Sequence, residues 1–559
     1  MTFAAAAYRL PTVATEEWRL PPEEMAKLPN RVPDAFNGRC VLVTGGSGFL
    51  GKTLVEKLLR LCDRVDTIYL LIRTKKGRDP RQRVDDIFSS PLFDRLKAEK
   101  GTSVLRKVVG VAGDVALPDL GLSPGDRQLL RDRVNIVVHA AATIRFDESL
   151  KKAVLLNTRG VKLMLQLAAE MKNLEAFLHV STAYCHLKEK VLYEKPYPPP
   201  ADPHSIIYLV ENTPEDVLES MTKKILGDLP NTYAFTKALG EGLVNEQMNK
   251  LPIMILRPSV VIPIWKDPLP GWTDNINGPT GLLIGAGKGV IRTMYCNQKG
   301  YADFLPVDIA VNAMMICAWN FLCCGDREHN VIHLTSSSEY QVSWSDIIEI
   351  GRKVTERIPL NNVVWYPGGS MKTSKLYHYI CVLFFHLIPA IFLDMIIFLA
   401  GHKPILWRVH RRILKGFEVF EYYANNQWDF KNDLVVEIRK CLNARERSEF
   451  IIDGDDMDLE QYFEDCVKAA RIYILKEMPE TLPGARRHLK IMYWVDVITK
   501  IVLGSLLLWT LWNRADAIIG GFLRVVNFMV WLVTGIFGLL SGSLMSSAIS
   551  TPPSGALES

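Results

Sequence analysis

The sequence predicts an α/β fold: a doubly wound parallel sheet, then a mostly helical C-terminal region and a hydrophobic, membrane-associated tail. Three observations carry that prediction. Short apolar runs alternate with longer amphipathic segments between Val41 and Val260, the rhythm of parallel strands joined by crossover helices. A glycine-rich turn, TGGSGFLG, stands between the first apolar run and the first helical pattern. Far downstream, residues 501–512 and 525–540 are apolar runs separated by Arg514, Asp516 and Arg524. At 559 residues the chain exceeds one ordinary domain. The expected divisions are a loosely ordered arm at 1–36, a sheet domain at 37–360, a helical domain at 361–480 and the tail at 481–559.

The elements follow in order. The apolar Val41-Leu42-Val43 leads into Thr44, Gly45, Gly46, Ser47, Gly48, Phe49, Leu50 and Gly51, and a helical pattern comes next. Strand, glycine turn and helix together mark a Rossmann-type site, where glycine lets the backbone approach a pyrophosphate seated at the helix N-terminus. The second strand, TIYLLIR, ends where an NAD-binding chain places an acid for the ribose 2'-hydroxyl. This chain has Arg73 there, followed by Lys75, Lys76, Arg78, Arg81 and Arg83. Cations suit a 2'-phosphate, so NADPH is the expected cofactor, with a solvated basic loop as the plain alternative. The third strand ends in Asp114, placed to reach the adenine amine, with Val115 beside it. The fourth, NIVVHAAATIRF, brings Ala140, Ala141 and Ala142 to the cofactor cleft, and a long helix over about 149–171 contains Asn157. EAFLHVSTAY is a fifth strand ending in Ser181 and Thr182. LPIMILRPSVV is a sixth, bringing Pro258 and Val260 toward the nicotinamide. Ligands of such sheets sit at the carboxyl ends of the strands.

Between these last two strands, NTYAFTKALGE places Tyr233 and Lys237 one helical turn apart. That spacing arises often by chance. A strand-end hydroxyl about 50 residues upstream gives it context, and the order resembles the extended short-chain dehydrogenase/reductase superfamily. The resemblance implies that Tyr233 donates a proton, that Lys237 lowers its pKa and holds the nicotinamide ribose, and that Thr182, with Ser181 in reserve, orients the carbonyl. LVTGGSGFLGKTLVEKLLR, YLLIRTKKGR, HVSTAY, LRPSVV, ADFLPVDIAVN and GHKPILWRVHRRILKGFEVFEYYANNQWDF look more specifically like a fatty acyl-CoA reductase, over roughly residues 37–478. This implies reduction of a long-chain acyl-CoA to a primary alcohol with two NADPH, through a hemithioacetal and an aldehyde. A membrane-tethered reductase of a sterol or other lipid ketone, and a non-catalytic dinucleotide-sensing scaffold, are the rival readings.

An acyl chain needs an apolar channel. Residues 376–401 are strongly apolar yet contain His378, His386, Pro389 and Asp394, so they read as a substrate tunnel or a segment dipping into the membrane surface. The basic stretch at 403–415, with Arg408, Arg411 and Arg412, suits anionic lipid heads, CoA phosphates or a solvated helix face. GLLIGAGKGV departs from a Walker loop and reads as a substrate-side loop. DGDDMDLEQYFED lacks the glycine of a calcium loop and reads as an acidic helix start. The ten cysteines show no zinc-like pairing, no metal is expected, and Cys185 reads as a structural thiol. A net charge of +5 marks no nucleic-acid binder. The N-terminus lacks the basic and apolar regions of a signal peptide. The catalytic domain should therefore face the cytosol from a membrane. The endoplasmic reticulum is expected, with the peroxisome or lipid-droplet surface as alternatives. Oligomeric state leaves no mark.

Overall fold

Seven strands form one parallel sheet: β1 Val41–Thr44, β2 Ile68–Ile72, β3 Val108–Ala112, β4 Ile136–His139, β5 Ala176–Val180, β6 Ile253–Pro258 and β7 Val331–Leu334. Their spatial order is β7-β6-β5-β4-β1-β2-β3. The computed structural model describes residues 8–9, 20–74, 77, 79–323, 325, 330–337, 339–514 and 526–530. Met1–Leu489 forms one compact unit and Lys490–Ser559 a second.

Alternation of side chains builds two cores from one sheet. In β1, Val41 and Val43 enter the core on one face and Leu42 the core on the other; in β2, Ile68, Leu70 and Ile72 oppose Tyr69 and Leu71. Because helices cover both faces, the strands are apolar at nearly every position. This is why they read as uninterrupted apolar runs. The crossover helices used below are α1 Phe49–Leu61, α2 Gly160–Glu170 and α3 Thr232–Asn245. The long helix expected over 149–171 is present with a π turn, Leu155–Arg159, inserted before α2. Beyond the sheet strands the relevant helices are α4 Pro279–Gly287, α5 Trp344–Arg357, α6 Lys375–Leu399, α7 Leu406–Asn425 and α8 Leu459–Ala469. GLLIGAGKGV therefore begins within a helix, where a loop is expected. The acidic stretch opens α8, with Asp458 accepting from the backbone N–H of Glu460 and Gln461.

Two expectations about organisation change. The described part of the arm is folded into the body: Val32, Ala35 and Phe36 belong to the core. Arg31 meets the buried Glu446 at 2.6 Å. Short turns with few apolar residues look like a linker in sequence, yet here they seat Val32, Ala35 and Phe36 in the core. Residues 1–7 and 10–19 lie outside the described residues. The structure also has no break at 360. Asp429–Phe430 pairs in parallel with Val191–Leu192, and the Trp428 indole donates to the Leu187 carbonyl at 3.2 Å.

Of the tail, residues 490–513 are helical, within Leu482–Asn513, and so are 526–530. Leu506, Leu507, Trp509 and Trp512 are exposed. Most of the second apolar run lies outside the described residues. Among the described residues, two helices, Lys375–Leu399 and Pro479–Asn513, are long and apolar enough to cross a membrane by length and composition.

Candidate active site

Strand order reverses between β1 and β4, where crossovers leave in opposite directions and open a crevice at the strand ends. A cleft of about 500 Å³ lies there. Thr44, Gly45, Ser47, Gly48, Phe49, Leu50 and Gly51 line it. Gly45 has φ +75°, and a Cβ on it would stand 2.8 Å from the Ala140 carbonyl; on Gly51 it would stand 2.4 Å from the Gly45 oxygen. Neither position admits a side chain. Gly46 does not line the cleft, since it faces Leu70, 2.8 Å from where its Cβ would be. The Thr44 hydroxyl accepts from Ala141 N at 3.1 Å and pairs with His139 Nδ1 at 2.8 Å. Burial holds that imidazole neutral, down at about 3.

Other expected cofactor residues divide in the same way. Arg73, Asp114, Val115, Ala140, Ala141, Ala142, Pro258 and Val260 line the cleft. Arg83 does not; its guanidinium donates to the Arg73 carbonyl at 3.2 Å and so braces the residue that does. Lys76 lies outside the described residues. Asn157 sits in the π turn behind the cleft. Its amide accepts from Thr143 N at 2.8 Å and donates to Thr143 O at 3.1 Å and to Thr236 Oγ1 at 3.0 Å. It clamps the loop that follows Ala142 instead of lining the site. The glycine turn, the open backbone N–H groups at the start of α1 and the Arg73 cation fit a nicotinamide dinucleotide.

Tyr233, Lys237 and Glu241 fall on one face of α3, four residues apart. Ser181, Thr182, Tyr233 and Lys237 all line the cleft. The Tyr233 phenol is pushed up to about 12 by burial, against the opposing hydrogen bond from Thr182. The resemblance implied the reverse, a phenol lowered by Lys237. Burial is the largest influence on the phenol, and the lysine is itself buried, with Nζ donating to the Val180 carbonyl at 2.6 Å. Desolvation brings this ammonium down to about 8. The phenol is therefore protonated across the neutral range and available as a donor. Of the two strand-end hydroxyls, Thr182 meets the phenol, whereas Ser181 Oγ faces Cys185 Sγ at 3.9 Å.

Behind the dyad lies a buried network that spacing alone did not reveal. Glu241 accepts from Arg257 Nε at 2.9 Å and Nη2 at 2.7 Å, and meets His186 Nε2 at 2.9 Å. Burial works against charge on His186, but Cys185 and Glu241 outweigh it and raise the imidazole to about 10. Cys185, His186 and Glu241 stand close enough together to hold a metal ion. An arginine seated on both carboxylate oxygens leaves that group committed to an ion pair instead.

The C-terminal segment supplies a wall that sequence reading missed. Tyr423 and Trp428 line the cleft. Asn231 donates to the Tyr423 hydroxyl at 2.9 Å, and Phe146 packs edge-on to Tyr233 with centroids 5.5 Å apart. A second cavity of about 220 Å³, lined largely by apolar side chains from α4, α5 and α8, shares Pro279, Phe304 and Trp344 with the cleft. No residue of 376–401 lines this cavity, whose walls come mainly from three separated segments.

A parallel sheet in Rossmann order, a dinucleotide cradle and a tyrosine–lysine pair beside an apolar cavity define a nicotinamide-dependent reductase of the short-chain dehydrogenase type. The male sterility protein family model matches residues 43–314, and its Sterile-domain counterpart matches residues 385–477. Fatty acyl-CoA reductase 1 of Rattus norvegicus is 38% identical over 458 residues, covering 82% of this chain and 89% of the relative. The Homo sapiens protein of that name is 37% identical over the same span. The reductase domain of a nonribosomal peptide synthetase from Mycobacterium tuberculosis superposes with TM-score 0.51 at 17% identity, covering 82% of this chain and 97% of that one. That likeness speaks for the fold. The chain belongs to the fatty acyl-CoA reductase family and is an oxidoreductase.

Proposed function

We propose that this protein reduces long-chain acyl-CoA thioesters to primary fatty alcohols at a membrane surface, using two NADPH. The observation that carries the proposal is the apolar cavity that adjoins the Tyr233 cleft, with Pro279, Phe304 and Trp344 lining both. Its apolar lining suits an acyl chain whose carbonyl would lie beside the phenol in the adjoining cleft. The preference for NADPH rests on Arg73 in the position of the ribose-binding acid.

NADPH supplies the hydride in each of two rounds. In the first, the Tyr233 and Thr182 hydroxyls hydrogen-bond the thioester oxygen and stabilise the charge that develops on it. Tyr233 is the proton donor, positioned and protonated. Lys237, held by the Val180 carbonyl, keeps a positive charge behind the phenol. The hemithioacetal breaks its C–S bond, CoA leaves as the thiol, and the aldehyde stays lodged by its chain. In the second round the same hydroxyls hold the aldehyde oxygen, which Tyr233 protonates to the alcohol. The sum is acyl-CoA, two NADPH and two protons giving alcohol, CoA thiol and two NADP+. No acyl-enzyme is required, and Cys185 stays behind Thr182 and outside the cleft lining.

The test is purified full-length protein in detergent given palmitoyl-CoA and NADPH, with the lipid product identified by mass spectrometry. Hexadecanol is the expected product. Tyr233→Phe should lower kcat by about 10²–10⁴-fold, the usual contribution of a positioned general acid. Turnover by Tyr233→Phe at the native rate would remove the phenol from the reaction. Reduction of a sterol ketone with no thiol released from acyl-CoA would overturn the substrate assignment.

A further inference from the structure

We propose that α6 and the start of α7 form a one-sided docking face for a bilayer surface carrying anionic lipid, with α6 lying in the interface instead of crossing it. The observation is a helix that turns apolar side chains to the outside and its few polar ones to the inside. His378, His386 and Asp394 are buried in α6 together with Cys381, Val382 and Ala390. The outward face is apolar, with Leu383, Phe384, Ile388, Phe392 and Ile396 all exposed. A surface helix in water exposes a polar face instead.

Each inward polar group has a protein partner. His378 Nδ1 meets Thr293 Oγ1 at 3.1 Å, and His386 Nε2 accepts from Arg292 N at 3.1 Å. Asp394 accepts from the backbone N–H of Ile405, Leu406 and Trp407 at 3.0, 2.9 and 2.7 Å. It thereby caps α7 and ties the two helices together. A helix so fastened along one side presents only its other side to lipid. A spanning helix would instead carry this carboxylate and both imidazoles to the depth where they cost most.

The occupant follows from charge. Arg408, Arg411, Arg412 and Lys415 are exposed on α7, next to exposed Ile405, Trp407 and Val409. Cations beside aromatic and aliphatic side chains suit the boundary between anionic headgroups and acyl chains. A neutral protein surface would leave those charges unmatched. This face is separate from the catalytic cleft, and its test does not depend on turnover.

The test uses the full chain reconstituted in phosphatidylcholine nanodiscs with and without phosphatidylserine. Phe392→Trp places a reporter on the face, and Tyr208→Trp places one on an exposed site of the helix Pro203–Asn212. Lipids brominated near the headgroup or deep in the chain quench nearby indoles. The expected result is added, blue-shifted emission from Phe392→Trp, quenched more by shallow than by deep bromines and more so with phosphatidylserine. Tyr208→Trp should give no such gain. Arg408→Glu with Arg412→Glu should abolish the phosphatidylserine dependence. Stronger quenching by deep bromines would show a span and overturn the proposal. Blue-shifted emission with no bromine quenching, in discs holding two chains, would assign the face to a second copy and overturn it too. A native circular-dichroism spectrum and thermal transition check that each variant is folded.

Discussion

The ammonium of Lys237 offers a quantitative prediction, because its environment sets where it titrates. Desolvation brings it down to about 8, while the Tyr233 phenol stands at about 12. The pH dependence of kcat/KM reports groups on the free enzyme. A single basic limb is therefore expected near pH 8, from the lysine, with no limb from tyrosine below it. With one proton at about 8, the charged fraction falls roughly tenfold between about pH 7 and pH 9, and kcat/KM should follow. Lys237→Arg separates this cause from others. A guanidinium stays charged to beyond about pH 12, so the variant should show a lower but flat profile through pH 9. The assay is initial-rate NADPH oxidation with palmitoyl-CoA at subsaturating concentration, with free thiol counted to correct for thioester hydrolysis. A limb of unchanged position in Lys237→Arg, or a flat native profile, would refute the assignment.

Two further substitutions test the cofactor and the cavity. Arg73→Glu replaces the cation at the ribose end of the cleft with a carboxylate. Loss of a charged hydrogen bond costs about 1.5–3 kcal/mol. KM for NADPH should therefore rise about 10- to 100-fold with little change for NADH, and an equal change for both would contradict the 2'-phosphate role. Gly351→Leu adds a side chain to the wall of the apolar cavity. Its Cβ would meet Leu283 Cδ1 at 3.5 Å, an ordinary contact, and the remaining atoms would enter the space. The ratio of kcat/KM for an 18-carbon to a 12-carbon acyl-CoA should fall by about tenfold or more, and an unchanged ratio would place the chain elsewhere.

What could be read from the sequence was local and periodic. The sheet strands are buried on both faces, so their apolar runs stand out. The glycine turn is forced by close backbone approach at Gly45 and Gly51. The dyad could be read once Thr182 gave it company. Long-range assembly could not be read. Tyr423 reaches Asn231 across 192 positions, and no period links them. The channel was expected in the longest contiguous apolar stretch, yet the apolar cavity beside the cleft takes its walls mainly from α4, α5 and α8. The misleading stretch turned its few polar side chains inward, which hydropathy along the chain cannot show. Lys237 was expected to lower the phenol, whereas burial is the largest influence on it.

The central claim is that one cleft carries an acyl thioester through two reductions before releasing it. The most direct measurement is the ratio of NADPH consumed to CoA thiol released over the steady state with palmitoyl-CoA. The account predicts two NADPH per thiol, with hexadecanol equal to thiol. A ratio of one, with hexadecanal accumulating in free solution, would contradict it.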